Sequence, residues 1–246
     1  MVQIKVKKGS STLNITNNSN YQLVSVTGLN PPVADINVSE FATSDGGVFN
    51  LARVQKRNIV LQIQPIGNLE NRRVELYGFM SPKSAVTLDI KTGSRHVTID
   101  GYIESMEIDY NANPQLVQVS VICPNPFFVD VTQIDVTSPG VNNPSEIAQG
   151  ALFTFNISSP ASYIYLYNYS TYQGFRLNVD VVNGDVIEID TRQGQKSAKK
   201  NGISVMQYVS LYNPTSKWIE LEPGYNMFES EPATFNTKFY PKYLGV

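Results

Sequence analysis

Strict alternation of apolar and polar residues is the feature that most restricts what this chain can fold into. Val86, Leu88 and Ile90 alternate with Thr87, Asp89 and Lys91, then Thr92-Gly93-Ser94 turns the chain and Val97, Ile99 and Gly101 continue on a return strand. Val117, Val119 and Val121 repeat the pattern, as do Phe153-Phe155-Ile157, Ile164-Leu166, Phe175-Leu177-Val179-Val181 and Ile187-Ile189. A period of two places every apolar side chain on one face of a strand, so these segments must pair into sheets that bury that face. One segment departs from it. From Leu69 to Met80 the apolar positions recur every three to four residues, Asn68 stands where a cap belongs, and Pro82 ends the run. The expectation is one helix in a mainly β protein.

The 246 residues exceed the roughly 100–200 of an ordinary domain. The composition shifts midway: Tyr21, Tyr77, Tyr102 and Tyr110 are the only tyrosines up to residue 128, and the other ten of the 14 follow. Pro124 and Pro126 close the strand Val119–Cys123, because proline cannot continue a central strand. A second Pro/Gly/Asn-rich stretch runs from Ser138 to Pro144. Two β domains are therefore expected, 1–130 and 131–246, with the boundary in the region 128–140.

Charge and cysteine content exclude several classes of function. Nineteen basic and 21 acidic residues leave a net charge of −2, so no global field draws in nucleic acid or an anionic membrane. The N-terminal Val2, Ile4 and Val6 alternate with polar residues instead of forming the apolar core of a signal peptide, and no apolar run nears the roughly 18 residues of a membrane span. The expected product is soluble, without membrane insertion, and made in a reducing cytosol. Cys123 is the single cysteine, so no internal disulfide exists; its strand context reads as a small buried hydrophobe.

Motifs for chemistry are scarce. With one His, His96, and one Cys, a zinc site lacks material, and His-Glu-x-x-His, Gly-x-Ser-x-Gly and P-loop patterns are missing. The carboxylate pairs Asp100/Glu104 and Glu188/Asp190 read as solvated strand faces, and Asp45-Gly46-Gly47 reads as a turn. No catalytic, cofactor-binding or metal-ligating residue is assigned, no cofactor is implied, and the chain is not read as an enzyme. The basic run Arg192, Lys196, Lys199 and Lys200 reads as a solvated hairpin tip, with an anion contact as the second reading. Arg53, Lys56, Arg57, Arg72, Arg73 and Arg95 read as members of ion pairs within or between subunits; Arg57 and Arg73 are the two picked as candidate subunit contacts. Tyr163, Tyr165, Tyr167 and Tyr169 share one face of a strand, either packed on a core or a neighbouring strand or open as a stacking platform for sugar rings or a protein interface.

Longer phrases carry a resemblance. Tyr21-Gln22-Leu23-Val24-Ser25-Val26-Thr27-Gly28-Leu29-Asn30-Pro31-Pro32, then Asp45–Asn50, then Arg57-Asn58-Ile59-Val60-Leu61, resemble the opening of phage distal tail proteins. The helix around Arg72–Tyr77, the hairpin into Gly101-Tyr102-Ile103-Glu104 and the close at Val121–Phe128 follow in the same order. Gly184–Thr191 and Trp218–Asn226 resemble that family's terminal domain. The resemblance implies an N-terminal ring-forming β-barrel or sandwich belt domain and a C-terminal galectin-like β-sandwich. It implies a homo-hexameric ring in the virion, at the tail tip or baseplate, joining the tail tube protein to a tail-associated hub or fibre protein. Some members also hold receptor-binding proteins, and assembly takes place in the host cytoplasm. Two other readings compete: a carbohydrate-binding module, suggested by Trp218 and the tyrosines of the second half, and a glycan hydrolase subunit with paired carboxylates.

Overall fold

The computed structural model describes residues 2–137, 139–212 and 217–246, so Ser138 of the second Pro/Gly/Asn-rich stretch lies outside the described residues. Two units divide the chain: one ends at Val131 and takes in Leu244–Val246, and the other is Thr132–Tyr243. The sequence pattern placed the last three residues with the second half. Three residues hold no strand pattern, so nothing in the sequence marked their return.

The first unit contains β1 (Gln3–Lys8), β2 (Ser11–Asn14), β3 (Tyr21–Thr27), β4 (Ala34–Glu40), β5 (Gly47–Val54), β6 (Arg57–Pro65), α1 (Leu69–Met80), β7 (Ala85–Lys91), β8 (His96–Ile108), β9 (Val117–Cys123) and β10 (Phe128–Asp130). Its large antiparallel sheet runs β2-β1-β7-β8-β9-β6-β3, with β10 added beside β8. The sheet ends on β2 at one side and β3 at the other, so it does not close into the barrel that was one form of the expectation. Alternation translates directly into burial: Ile59, Leu61 and Ile63 on β6 and Val117, Val119 and Val121 on β9 are wholly inside. On α1, Asn68 caps the first turn by accepting from the Asn71 amide at 3.2 Å, while Leu76 and Met80 face the core. Cys123 ends β9 fully buried, and burial pushes its thiol up to about 11.

Arg57, at the start of β6, is only 3% exposed. Its Nε donates to the Pro126 carbonyl at 2.8 Å, Nη1 donates to the Gly28 and Asn30 carbonyls at 2.6 Å each, and Nη2 donates to the Leu244 carbonyl at 2.5 Å. The guanidinium carbon sits 4.3 Å from the centre of the Phe128 ring. Four backbone carbonyls from three distant segments thus solvate one buried cation. Gly28 is indispensable beside it: its φ is +84°, and any Cβ there would overlap the Asn58 carbonyl oxygen. The reading of Arg57 as a subunit contact is therefore corrected, because the side chain has no surface to offer. Arg73 pairs with Glu70 and lies 4.9 Å from the Tyr110 ring centre inside its own unit, the internal-pair alternative of the expectation. Arg53–Asp35 and Arg72–Glu75 are also pairs within the unit.

The second unit holds β11 (Ile134–Thr137), β12 (Gly140–Asn143), β13 (Leu152–Asn156), β14 (Ile164–Asn168), β15 (Gln173–Leu177), β16 (Val186–Asp190), β17 (Ser197–Lys200), β18 (Ile203–Ser204), β19 (Val209–Tyr212), β20 (Gly224–Glu231) and β21 (Phe235–Phe239). They form two antiparallel sheets, β11-β21-β13-β16-β17-β18 and β12-β20-β14-β15-β19, in the expected β-sandwich. Phe153, Phe228 and Phe235 meet edge-on at 5.5–5.8 Å in the core between the sheets. Trp218 packs against that core. A buried amide network fixes the segment before β20: Asn143 and Asn168 donate to the carbonyls of Leu221 and Glu220 at 2.9 Å, and Asn226 donates to that of Glu222 at 2.8 Å.

Two outcomes follow. Arg57→Ala strands four carbonyls that a charged donor had satisfied, and should cost about 3–5 kcal/mol in urea denaturation; Arg57→Lys should recover only part, since a single ammonium cannot reproduce the planar fork. Full stability in either variant would contradict this role. For Cys123 the folded chain keeps the thiol protonated up to about 11, whereas an unfolded chain loses the proton near 9.0. Deprotonation then favours the unfolded state in that window, so this contribution is complete below pH 9 and is lost as the pH approaches 11. Between pH 9 and 11 the stability of Cys123→Ala should fall less steeply than that of the wild type, and parallel curves would contradict the assignment.

Candidate functional site

Strands β4 and β5 pair only with each other, as a two-stranded ribbon. Every residue in both strands is exposed. A lone two-stranded ribbon is marginal in water, and this one nevertheless carries the largest concentration of exposed aliphatic and aromatic side chains in the first unit. The register explains how they are arranged. Ala34 faces Val54, Ile36 faces Ala52 and Val38 faces Phe49, whereas Asp35 faces Arg53, Asn37 faces Leu51 and Ser39 faces Val48. Paired residues share a face, so one side reads Ala34, Ile36, Val38, Phe49, Ala52 and Val54, with Glu40 at its tip, and the other side carries Asp35, Arg53, Asn37 and Ser39 together with Leu51 and Val48.

The bulge between Asn37 and Val38 makes this possible, because it leaves Asn50 without a partner opposite and shifts the rest of β5 by one. Without that shift Phe49 would fall on the polar side. Asn50 instead points to the polar side, where its Nδ2 donates to Asn37 Oδ1 at 2.8 Å and Ser39 Oγ at 2.7 Å. The tip closes through the Phe41 amide on the Gly46 carbonyl at 3.3 Å, and the root through the Gln55 amide on the Val33 carbonyl at 3.1 Å. Arg57 grips Gly28 and Asn30 just before the ribbon and itself stands just after it, so one buried cation pins both ends. The ribbon was not foreseen as strands. Its signal was present in Ile36 and Val38 alternating ahead of the Asp45-Gly46-Gly47 turn, but the bulge breaks the period on the return strand.

The remaining residues singled out in the sequence go to separate partners. Asp100 accepts from Thr87 Oγ1 at 2.6 Å and Glu104 from Ser120 Oγ at 2.8 Å, while Asp190 pairs with Arg192 at 2.6 Å. Lys200 pairs with Asp185, whose carboxyl is held down at about 2, first by the Val182 amide and then by Lys200 and Asn201. Two of the four cations in the basic run are thus neutralised locally. His96 Nε2 lies 2.8 Å from Asp89 Oδ1 and Lys7 Nζ lies 2.6 Å from Oδ2. Burial pushes the Asp89 carboxyl up, and these two partners more than reverse that, leaving it below its ordinary value. Among the described residues no cluster of three His, Cys, Asp or Glu side chains is placed to hold a metal, and no helix is long and apolar enough to cross a membrane.

Residues 146–243 match the family described as siphovirus-type tail component, C-terminal domain. No curated protein matches the sequence. The whole chain is similar in fold to the crystal structure of the phage SPP1 Dit protein, titled a paradigm of the hub adsorption apparatus in phages infecting Gram-positive hosts, with a TM-score of 0.76, 16% identity and coverage of 98% of this chain and 99% of that one. A chain of the phage P2 baseplate in its activated conformation with Ca follows at a TM-score of 0.50, 12% identity and full coverage of both chains. The family match covers residues 146–243, and the likeness of the whole chain to these structures is one of fold. Its resemblance is to the distal tail proteins, as the ordered phrases of the sequence read.

Because Ile36 and Phe49 are each 61% exposed, Ile36→Ser and Phe49→Ser should leave the stability of the isolated subunit within about 0.5 kcal/mol of wild type. Thermal unfolding checks this, and a large loss would mean that the ribbon packs on its own unit.

Proposed function

We propose that this chain is the distal tail protein of its phage, a structural and non-catalytic subunit that assembles in the host cytoplasm into a homo-hexameric ring joining the tail tube to the hub or fibre. The exposed amphipathic ribbon β4–β5 is the observation that carries the reading. An apolar ribbon face left in water is a liability for a monomer and an asset for a subunit. Laid on a different surface of the next copy, it makes a heterologous contact, and such contacts close into a ring when each rotates the next copy by a sixth of a turn. A long-lived contact of this kind buries about 1,200–2,000 Å². The near-neutral first half favours packing: Lys and Arg number 11 and Asp and Glu ten up to residue 128, a net +1, so adjacent copies repel little. The hub title of the SPP1 Dit structure and the baseplate title of the second neighbour support a place at the tail tip. Anchoring of receptor-binding proteins belongs to the second unit in this reading.

The expected particle mass is six times 27.3 kDa, or about 164 kDa, by native mass spectrometry or light scattering, alone or with the tail-tube partner. Phe49→Ser should remain a folded monomer under the same conditions. A wild type that stays monomeric even with tail-tip partners, or a Phe49→Ser ring as stable as the wild type, would overturn the proposal.

A further inference from the structure

The outer face of the sheet β12-β20-β14-β15-β19 has a construction that neither the core nor a ring requires. Tyr165 and Tyr167 on β14 lie opposite Glu231 and Glu229 on β20, and opposite Arg176 and Gly174 on β15. Gly174 leaves the space that the Tyr167 ring occupies: a Cβ there would stand 2.8 Å from Tyr167 Cδ2. The ring therefore lies down across β15 instead of standing up from the sheet. Tyr165 is stacked parallel to it within 8°, with ring centroids 6.3 Å apart, and Tyr169 meets Tyr167 edge-on at 5.2 Å, so the three rings form one aromatic cluster. The same device recurs on the other side, where the Tyr225 phenol lies over Gly140 of β12. Tyr225 is 66% and Tyr169 47% exposed, and Tyr165 and Tyr167 between them are half-buried.

Polar groups frame the cluster. Tyr163 donates to Glu231 at 2.8 Å and Tyr169 to Glu229 at 2.6 Å, and the Arg176 guanidinium lies 4.0 Å from the Tyr163 ring centre. A carboxylate has about four acceptor sites, more than one phenol fills. We propose that this face binds a neutral, hexose-containing glycan, with Tyr165 and Tyr167 stacking under the C–H face of a sugar ring while Glu229 and Glu231 accept from its hydroxyl groups. Two carboxylates against one guanidinium disfavour a polyanion such as nucleic acid or a phosphate-rich polymer. An apolar protein surface would bury both carboxylates without compensation. A hydroxyl-rich neutral ligand satisfies rings and acceptors together. The site lies in the second unit and does not depend on ring formation.

Saturation-transfer NMR on the full-length protein tests it with three probes: oligomers of glucose, of galactose and of N-acetylglucosamine. At least one should bind, and Tyr165→Ser and Glu231→Lys should each weaken that binding about tenfold or more. Circular dichroism verifies the fold of each variant, and exposed Glu231→Lys decides the matter should Tyr165→Ser unfold. The proposal is overturned if none of the three probes binds, if folded Tyr165→Ser or Glu231→Lys binds as the wild type does, or if heparin or oligolysine occupies the face in preference to the neutral oligomers.

Discussion

The buried guanidinium of Arg57 is the interaction on which the first unit depends. A cation out of water is tolerable only when its donors are met, and here four main-chain carbonyls meet them. Burial lowers its pKa, yet an arginine remains charged at any physiological pH. The carbonyls come from the exit of β3, from the turn between β9 and β10 and from Leu244. These segments have little else in common, and the cation makes them one body. The ribbon β4–β5 gains most from this arrangement. It has no core of its own, and its two ends are held by the same side chain.

Much of this was legible in the sequence, because alternation reports burial wherever a strand has one dry face. Ile59, Leu61 and Ile63, or Phe153 and Phe155, announce both their strand and its inward side. The helix was readable from its spacing and from the Asn68 cap. Three features resisted. The ribbon is exposed on both faces, and its bulge breaks the period on the strand that carries Phe49. The role of Arg57 could not be read from residue types, since its partners are carbonyls that every residue possesses. The outward tyrosine cluster needs Gly174 and Gly140 beside the Tyr167 and Tyr225 rings, a cross-strand relation that no local window contains.

The two units divide the work by where their special residues face. In the second, buried polar side chains are structural: Asn143, Asn168 and Asn226 hold the chain around Leu221, and the phenylalanines fill the space between sheets. Its outward tyrosines and carboxylates form the face proposed above to take a glycan. In the first, the inward residues build a sheet and the outward ribbon is the surface proposed to meet the next copy.

The central claim is that the apolar side of the ribbon is covered by a neighbouring copy in the assembled protein. Hydrogen exchange of the amides of Ala34–Glu40 and Gly47–Val54, followed in the free subunit and in the assembled particle, tests it most directly. Exchange in the ribbon should slow strongly on assembly while β6 and β9, already buried, change little. Equal exchange of the ribbon amides in the two forms would contradict the account.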